Sequence, residues 1–207
     1  MSVYLLLVGS YCLGSLPFGL WIAYAARGVD IRTVGSGNIG ATNVWRVCGP
    51  KAGSAAFTLD VLKGLLPVIA GKMLLPGNNL VPILAGMLAI IGHTFSMFLK
   101  FKGGKGIATS LGVLIAAAPK IILLAAAVFI VEMFTLGYVS LGNIIAAVAV
   151  PVLIRIFYPH NTYLFVMGIC ASVLTIYKHR ANIRRLINHT EPKARMPWNK
   201  RVTSDNE

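Results

Sequence analysis

Seven apolar stretches, each closed by charged or Gly/Pro-rich residues, make up most of the chain. They run from Val3 to Ala26, Gly53 to Leu75, Leu80 to Leu99, Ile107 to Ala118, Ile121 to Leu136, Leu141 to Tyr158 and Tyr163 to Tyr177. A membrane-spanning helix takes about 20 apolar residues, and several of these stretches are shorter. At ~1.5 Å per residue the fourth covers about 18 Å, against a hydrocarbon core of ~30 Å. The pattern predicts an all-α, polytopic membrane bundle of about seven transmembrane helices. Between the first two spans, residues 28–52 read as a polar, Gly-rich loop. Residues 1–187 read as one transmembrane domain, and 188–207 as a basic cytoplasmic tail expected to be flexible.

Composition sharpens this picture. The 207 residues are 57% hydrophobic and 12% charged, and soluble domains carry roughly 25% charged residues. Hydropathy this high also excludes a disordered basic binder, which needs low hydrophobicity. The net charge of +13 points to topology. An odd span count puts the termini on opposite sides. With the N-terminus outside, fifteen Lys and Arg side chains fall on the inner face, and Lys72, Lys120 and Arg155 fall outside. The positive-inside rule selects that orientation. The first stretch lacks a charged n-region and reads as a retained span, not a cleaved signal. Cys12, Cys48 and Cys170 show no metal or disulfide spacing. No metal, cofactor or nucleic acid is expected.

Three elements on the inner face are built for anions. The first, Val34 to Arg46, is rich in glycine (Gly35, Gly37, Gly40) and donors (Ser36, Asn38, Thr42, Asn43, Arg46). Its GxGxxG spacing lacks the preceding strand of a dinucleotide fold, but close glycines let backbone N–H groups turn toward one anion. The second is Gly92-His93 followed by Phe101-Lys-Gly-Gly-Lys-Gly106. It places Gly103, Gly104 and Lys105 at a helix N-terminus, where free N–H groups and the dipole favour phosphate. The third is Tyr177 to Leu186, with His179 and Asn182 on one helical face. Two phosphate-friendly elements imply two phosphate-bearing ligands or one bisphosphate. Asp60 and Lys63, at i and i+3, read as a buried ion pair. Glu132 has no assigned role.

Three motifs carry a family resemblance: Ser36-Gly-Asn-Ile-Gly-Ala-Thr-Asn43, Gly92-His93 with Phe101 to Gly106, and His179-Arg-Ala-Asn-Ile183. The chain resembles the acyl-phosphate-dependent glycerol-3-phosphate acyltransferases, bacterial integral membrane enzymes, from Gly14-Ser15 to Arg185. The resemblance implies transfer of a fatty acyl group from acyl phosphate to the 1-hydroxyl of glycerol 3-phosphate. The products are lysophosphatidic acid and inorganic phosphate, formed in the first step of phospholipid synthesis. Other glycerolipid acyltransferases use a His-x4-Asp dyad, and no histidine here has Asp at that spacing. Catalysis is therefore expected to rest on positioning and charge stabilisation, with a substrate phosphate oxygen accepting the hydroxyl proton.

In this reading Ser36, Lys105, His179 and Asn182 are catalytic. Gly37, Asn38, Gly40, Thr42, Asn43, Gly103, Gly104 and Lys105 hold the acyl-phosphate phosphate. Arg46, Ser140, His179, Asn182 and a shared Lys105 orient glycerol 3-phosphate. His93 is a further candidate base, with a structural cap beside the Gly-rich loop as its rival role. A monomer in the inner membrane is expected, with its site on the cytoplasmic side. The partners are its two substrates, the bilayer and, functionally, an enzyme that forms acyl phosphate.

Overall fold

The computed structural model describes residues 3–194. Within them the ordered elements are helical, with no strand. The helices are α1 (Val3–Ser15), α2 (Phe18–Arg27), α3 (Ala41–Cys48), α4 (Pro50–Leu74) and α5 (Leu80–Thr94). There follow α6 (Ile107–Ala117), α7 (Ile122–Thr135), α8 (Val139–Phe157), α9 (Thr162–Lys178) and α10 (Arg180–Ile187). The first apolar stretch is broken at Leu16-Pro17, because proline has no N–H to continue the ladder and its ring crowds the preceding turn. Buried Lys63 mends the break. Its Nζ donates to the Leu16 carbonyl at 2.9 Å, pairs with Asp60 Oδ1 at 2.7 Å and lies 5.5 Å from the Phe18 ring centroid. The ion pair expected from sequence is therefore present.

Fewer helices than the expected seven have the length and apolarity that a crossing takes. By length and composition, four segments suffice to cross a membrane: Val3–Arg27, Pro50–Leu74, Leu80–Leu99 and Val139–Phe157. The number rises to six if two bent pairs each count as one span. One pair is Ile107–Ala117 with Pro119–Thr135, bent by 119°, and the other is Thr162–Lys178 with Arg180–Ile187, bent by 57°. The shortfall comes from short helices: α6 has only 11 residues and ends at a proline. A second difference lies in residues 28–52, expected as a loop, where α3 forms between Gly40 and Gly49.

Small residues let the helices touch backbone to backbone, as membrane packing favours. A Cβ on Gly64 of α4 would lie 2.0 Å from the Thr109 carbonyl oxygen of α6, and one on Gly112 of α6 equally close to the Val61 carbonyl of α4. The bundle has two recognisable ends. At one, Lys72 Nζ donates to the Ala116 carbonyl at 2.6 Å, and Lys120 N–H to the Tyr158 hydroxyl at 3.2 Å. A cavity of ≈ 230 Å³ there is lined by Lys72, Asn78, Asn79, Ala117 and Asn161 among others. At the other end, the Tyr11 hydroxyl donates to the Phe95 carbonyl at 2.9 Å, and the candidate site residues gather.

Candidate functional site

The glycine loop after α5 folds back onto that helix. Gly103 N–H donates to the Thr94 carbonyl at 3.2 Å and Gly104 N–H to the His93 carbonyl at 3.0 Å. Both amides, expected to face a phosphate, are occupied by backbone. The amides left over belong to the first turn of α6, since the first helical bond runs from Ser110 N–H to the Gly106 carbonyl. Gly106 sits at φ +83, in the left-handed region that glycine adopts freely. Beside it, the buried hydroxyls of Thr94 and Ser110 have no hydrogen-bond partner among the described residues. They lie 3.2 and 4.0 Å from where a Cβ on Gly106 would stand.

His93 backs this loop. Its ring is buried, and its Nδ1 is 3.7 Å from Asp60 Oδ1. Its Nε2 faces Gly104, where a Cβ would come within 2.2 Å of it. Gly104 is thus required by the histidine edge. Lys178, at the end of α9, braces the same loop. Its Nζ lies 3.3 Å from the Thr94 carbonyl and 5.1 Å from the Phe95 ring centroid.

Lys105 points away from the loop into a polar network. Its Nζ donates to Asn182 Oδ1 at 2.6 Å. Asn182 Nδ2 donates to Glu191 Oε1 at 2.7 Å, Ser140 Oγ donates to the same oxygen at 2.7 Å, and Arg185 Nε donates to Glu191 Oε2 at 2.7 Å. Four segments meet here: the start of α6, the start of α8, α10 and the chain beyond it. Burial pushes the Lys105 ammonium down to about 8; Arg185 and Arg46 add to the shift and Glu191 opposes it. For Glu191, burial would raise the carboxyl's pKa, but the bonds from Asn182, Ser140 and Arg185 outweigh it and hold the group below the usual carboxylate range. His179, at the α9–α10 bend, is buried, and its Nδ1 is 2.8 Å from the Thr175 carbonyl. Glu132 helps place Ser140: its Oε1 accepts the Tyr138 N–H at 3.2 Å, at the head of α8.

The first motif is organised around Asn43. Its Oδ1 accepts the Ser36 N–H at 2.8 Å, and its Nδ2 donates to the carbonyls of Ile31, Val34 and Asn38. Asn43 therefore builds its own loop and does not reach out to a ligand. Gly37 N–H is taken by the Val34 carbonyl and Gly40 N–H by Asn38 Oδ1 at 2.8 Å. Ser36, Thr42 and Arg46 remain exposed. Thr42 and Arg46, at i and i+4, share a face of α3, and the Arg46 charge reaches Lys105.

Glu191 was missed in the sequence, where it falls in the stretch read as a free tail. Residues 188–194 are instead tied back: Thr190 N–H donates to the Arg185 carbonyl and Ala194 N–H to the Gly137 carbonyl, both at 2.8 Å. The rest of that tail lies outside the described residues. A signal was available, since Glu191 is one of only six acidic residues and stands in a basic segment.

Residues 4–189 match the family model described as glycerol-3-phosphate acyltransferase. The glycerol-3-phosphate acyltransferase of Fusobacterium nucleatum is 46% identical over 195 residues, covering 93% of this chain and 98% of its own. That of Bacillus subtilis is 43% identical, covering 94% and 99%. The crystal structure of the integral membrane enzyme PlsY in its glycerol 3-phosphate form superposes with a TM-score of 0.89 at 37% identity, covering 94% of this chain and 96% of that one. Its lysophosphatidic acid form gives 0.86. With a family model across nearly its whole length and relatives above 40% identity, the chain belongs to the glycerol-3-phosphate acyltransferase family and is a membrane-bound acyltransferase.

Proposed function

We propose that the protein transfers a fatty acyl group from acyl phosphate to the 1-hydroxyl of glycerol 3-phosphate, yielding lysophosphatidic acid and inorganic phosphate. The observation that carries this reading is the bonded network of Lys105, Asn182 and Ser140, which comes from three distant parts of the chain. It gives one cation and two neutral donors beside a helix N-terminus, with Arg46 and His179 at its edge. A related enzyme has been solved in a glycerol 3-phosphate form and a lysophosphatidic acid form, which name one substrate and the product.

Lys105, Ser140, Asn182, His179 and Arg46 bind the phosphate of glycerol 3-phosphate. The first-turn amides of α6, with Ser36, Thr42 and the shared Lys105, hold the phosphate of acyl phosphate. Asn43, Gly103 and Gly104 act by shaping the loops, and His93 by backing one of them. The hydroxyl oxygen bonds to the acyl carbonyl carbon, and the bond from that carbon to the phosphate oxygen breaks. The hydroxyl proton passes to a phosphate oxygen. Acyl phosphate is already activated, so the protein supplies position and charge stabilisation, with no cofactor. The site faces the cytoplasm from the bacterial inner membrane, the unit works as a monomer, and an acyl-phosphate-forming enzyme supplies the donor.

The test is purified protein in lipid, given acyl phosphate and glycerol 3-phosphate. Stoichiometric inorganic phosphate and lysophosphatidic acid are expected, with no product when acyl-CoA replaces acyl phosphate. Equal turnover with acyl-CoA would overturn the donor assignment.

A further inference from the structure

Glu191 is a charged group at the centre of the site that acyl transfer does not use. Its side chain is 6% exposed. Its carboxylate accepts from Ser140 Oγ, Asn182 Nδ2 and Arg185 Nε, each at 2.7 Å. These are the donors a phosphate monoester would ask for, with the Lys105 ammonium bonded to the same Asn182. The Ser140 hydroxyl has a single proton. While Glu191 holds it, Ser140 cannot donate to a phosphate. A carboxylate and a phosphate dianion side by side in a partly buried site also repel each other.

The segment that carries Glu191 is held lightly elsewhere. Asn188, His189, Thr190, Pro192 and Lys193 are exposed. Beyond the carboxylate, Asn188, His189 and Thr190 N–H cap the end of α10 on the Arg184, Leu186 and Arg185 carbonyls. Past that cap the ties are the Ala194 N–H bond to the Gly137 carbonyl, the weak contact of the Thr190 hydroxyl with the Arg185 carbonyl, and Lys193 Nζ, 5.2 Å from the Tyr138 ring centroid. His189 sits at φ +56, a conformation that non-glycine residues adopt only at some cost. Few buried apolar contacts and exposed backbone bonds mark a segment that opens easily.

We propose that Glu191 is a built-in competitor for the substrate phosphate. Its carboxylate and the phosphate of glycerol 3-phosphate take turns on Ser140 and Asn182, and binding the substrate lifts residues 188–194 off the head of α8. This rests on the assignment of Ser140, Asn182 and Lys105 to glycerol 3-phosphate. The exchange keeps buried donors bonded at every stage, and it makes the apparent affinity for substrate the intrinsic affinity reduced by the share of molecules in which Glu191 holds the site.

The test is hydrogen–deuterium exchange of the full chain in lipid, following the peptide that covers 188–194. Saturating glycerol 3-phosphate is expected to speed its exchange by roughly tenfold, and glycerol is expected to leave it unchanged. If inorganic phosphate alone also speeds it, the phosphate group is what competes; if only glycerol 3-phosphate does, the glycerol part is needed as well. Either result supports the exchange. Unchanged or slower exchange, in protein whose turnover saturates with glycerol 3-phosphate, overturns the displacement and leaves the acyltransferase reading standing. No turnover with glycerol 3-phosphate overturns that reading and the displacement with it. In a Glu191→Gln variant that keeps the wild-type melting temperature, KM for glycerol 3-phosphate falls and kcat is retained; a higher KM overturns the proposal.

Discussion

Lys105 carries its charge at neutral pH with a narrow margin. Its pKa near 8 in the free enzyme means that the ammonium is lost as pH rises through that value. The cation proposed to bind glycerol 3-phosphate goes with it, so kcat/KM should fall about tenfold per pH unit above roughly 8, because that ratio reports free-enzyme ionisations. Arginine stays charged there, and Lys105→Arg should bind less well but lose the alkaline limb. An unchanged limb in that variant would assign it to another group. Gly104 gives a second residue-scale expectation. Gly104→Ala drives a methyl into His93 Nε2 and should lower kcat/KM by more than about tenfold, while His93→Ala in the same chain should restore part of it, a coupling of ~1 kcal/mol in a double-mutant cycle. Lys105 stood out in the sequence among its glycines and Asn182 by its helical spacing from His179, whereas Ser140 was named only once the family resemblance was in place. The fate of individual N–H groups at Gly103 and Gly104 did not stand out, because α5 carbonyls brought up by tertiary folding take those bonds. Asn43 was misjudged for the same reason: its side chain serves residues 31–38, a fold-back that no local pattern announces.

At the scale of elements, the breaks decide what the helices can do. The break at Pro17 leaves the Leu16 carbonyl outside the helical ladder, with only a tight-turn bond from the Phe18 N–H at 3.1 Å, inside an apolar stretch where weakly satisfied backbone is costly. Lys63 answers it, and Asp60 balances Lys63. Removing one partner leaves the other buried and uncompensated, so Asp60→Asn or Lys63→Met should destabilise by about 3–5 kcal/mol. The double substitution Asp60→Asn with Lys63→Met should cost less than the two single changes added together. Thermal unfolding in detergent reads both, and additive losses would show that the pair is not coupled. The i, i+3 spacing made this pair legible. The use of Lys63 as a patch for a proline break was not, because it joins residues 47 apart. α3 was illegible for a different reason: its eight residues between two glycines have too few apolar positions for a helical period to emerge. Glu191 eluded a reading in which a basic stretch after the last span is a solvated tail, since the bonds that order it come from Ser140 and Gly137, far away in sequence.

At the scale of the molecule, the two ends of the bundle bear on a question that span length leaves open. Residues 105, 140, 182 and 191 meet at one end, while Lys72, Ala116, Lys120 and Tyr158 meet at the other. α6 therefore leaves the site end and reaches the far end, and α7 returns. α8 leaves and α9 returns in the same way, and Asn79 and Asn161 share the far cavity. Whether α6 and α7 count as two short crossings or one re-entrant excursion, they begin and end on the same side. Counted that way the net crossings are odd in number, in keeping with the proposed topology that sets the N-terminus opposite the site. The proposed cytoplasmic site agrees with the sequence's charge distribution, since that topology gathers most Lys and Arg on the site side, as the positive-inside rule asks. In a chain stripped of its native cysteines, Ser36→Cys should react with a membrane-impermeant maleimide only after the membrane is opened, whereas Asn79→Cys should react in intact cells. The reverse pattern would invert the topology; labelling of both from outside would mean that 11-residue α6, about 16 Å long, thins the barrier enough to admit the probe to the site itself.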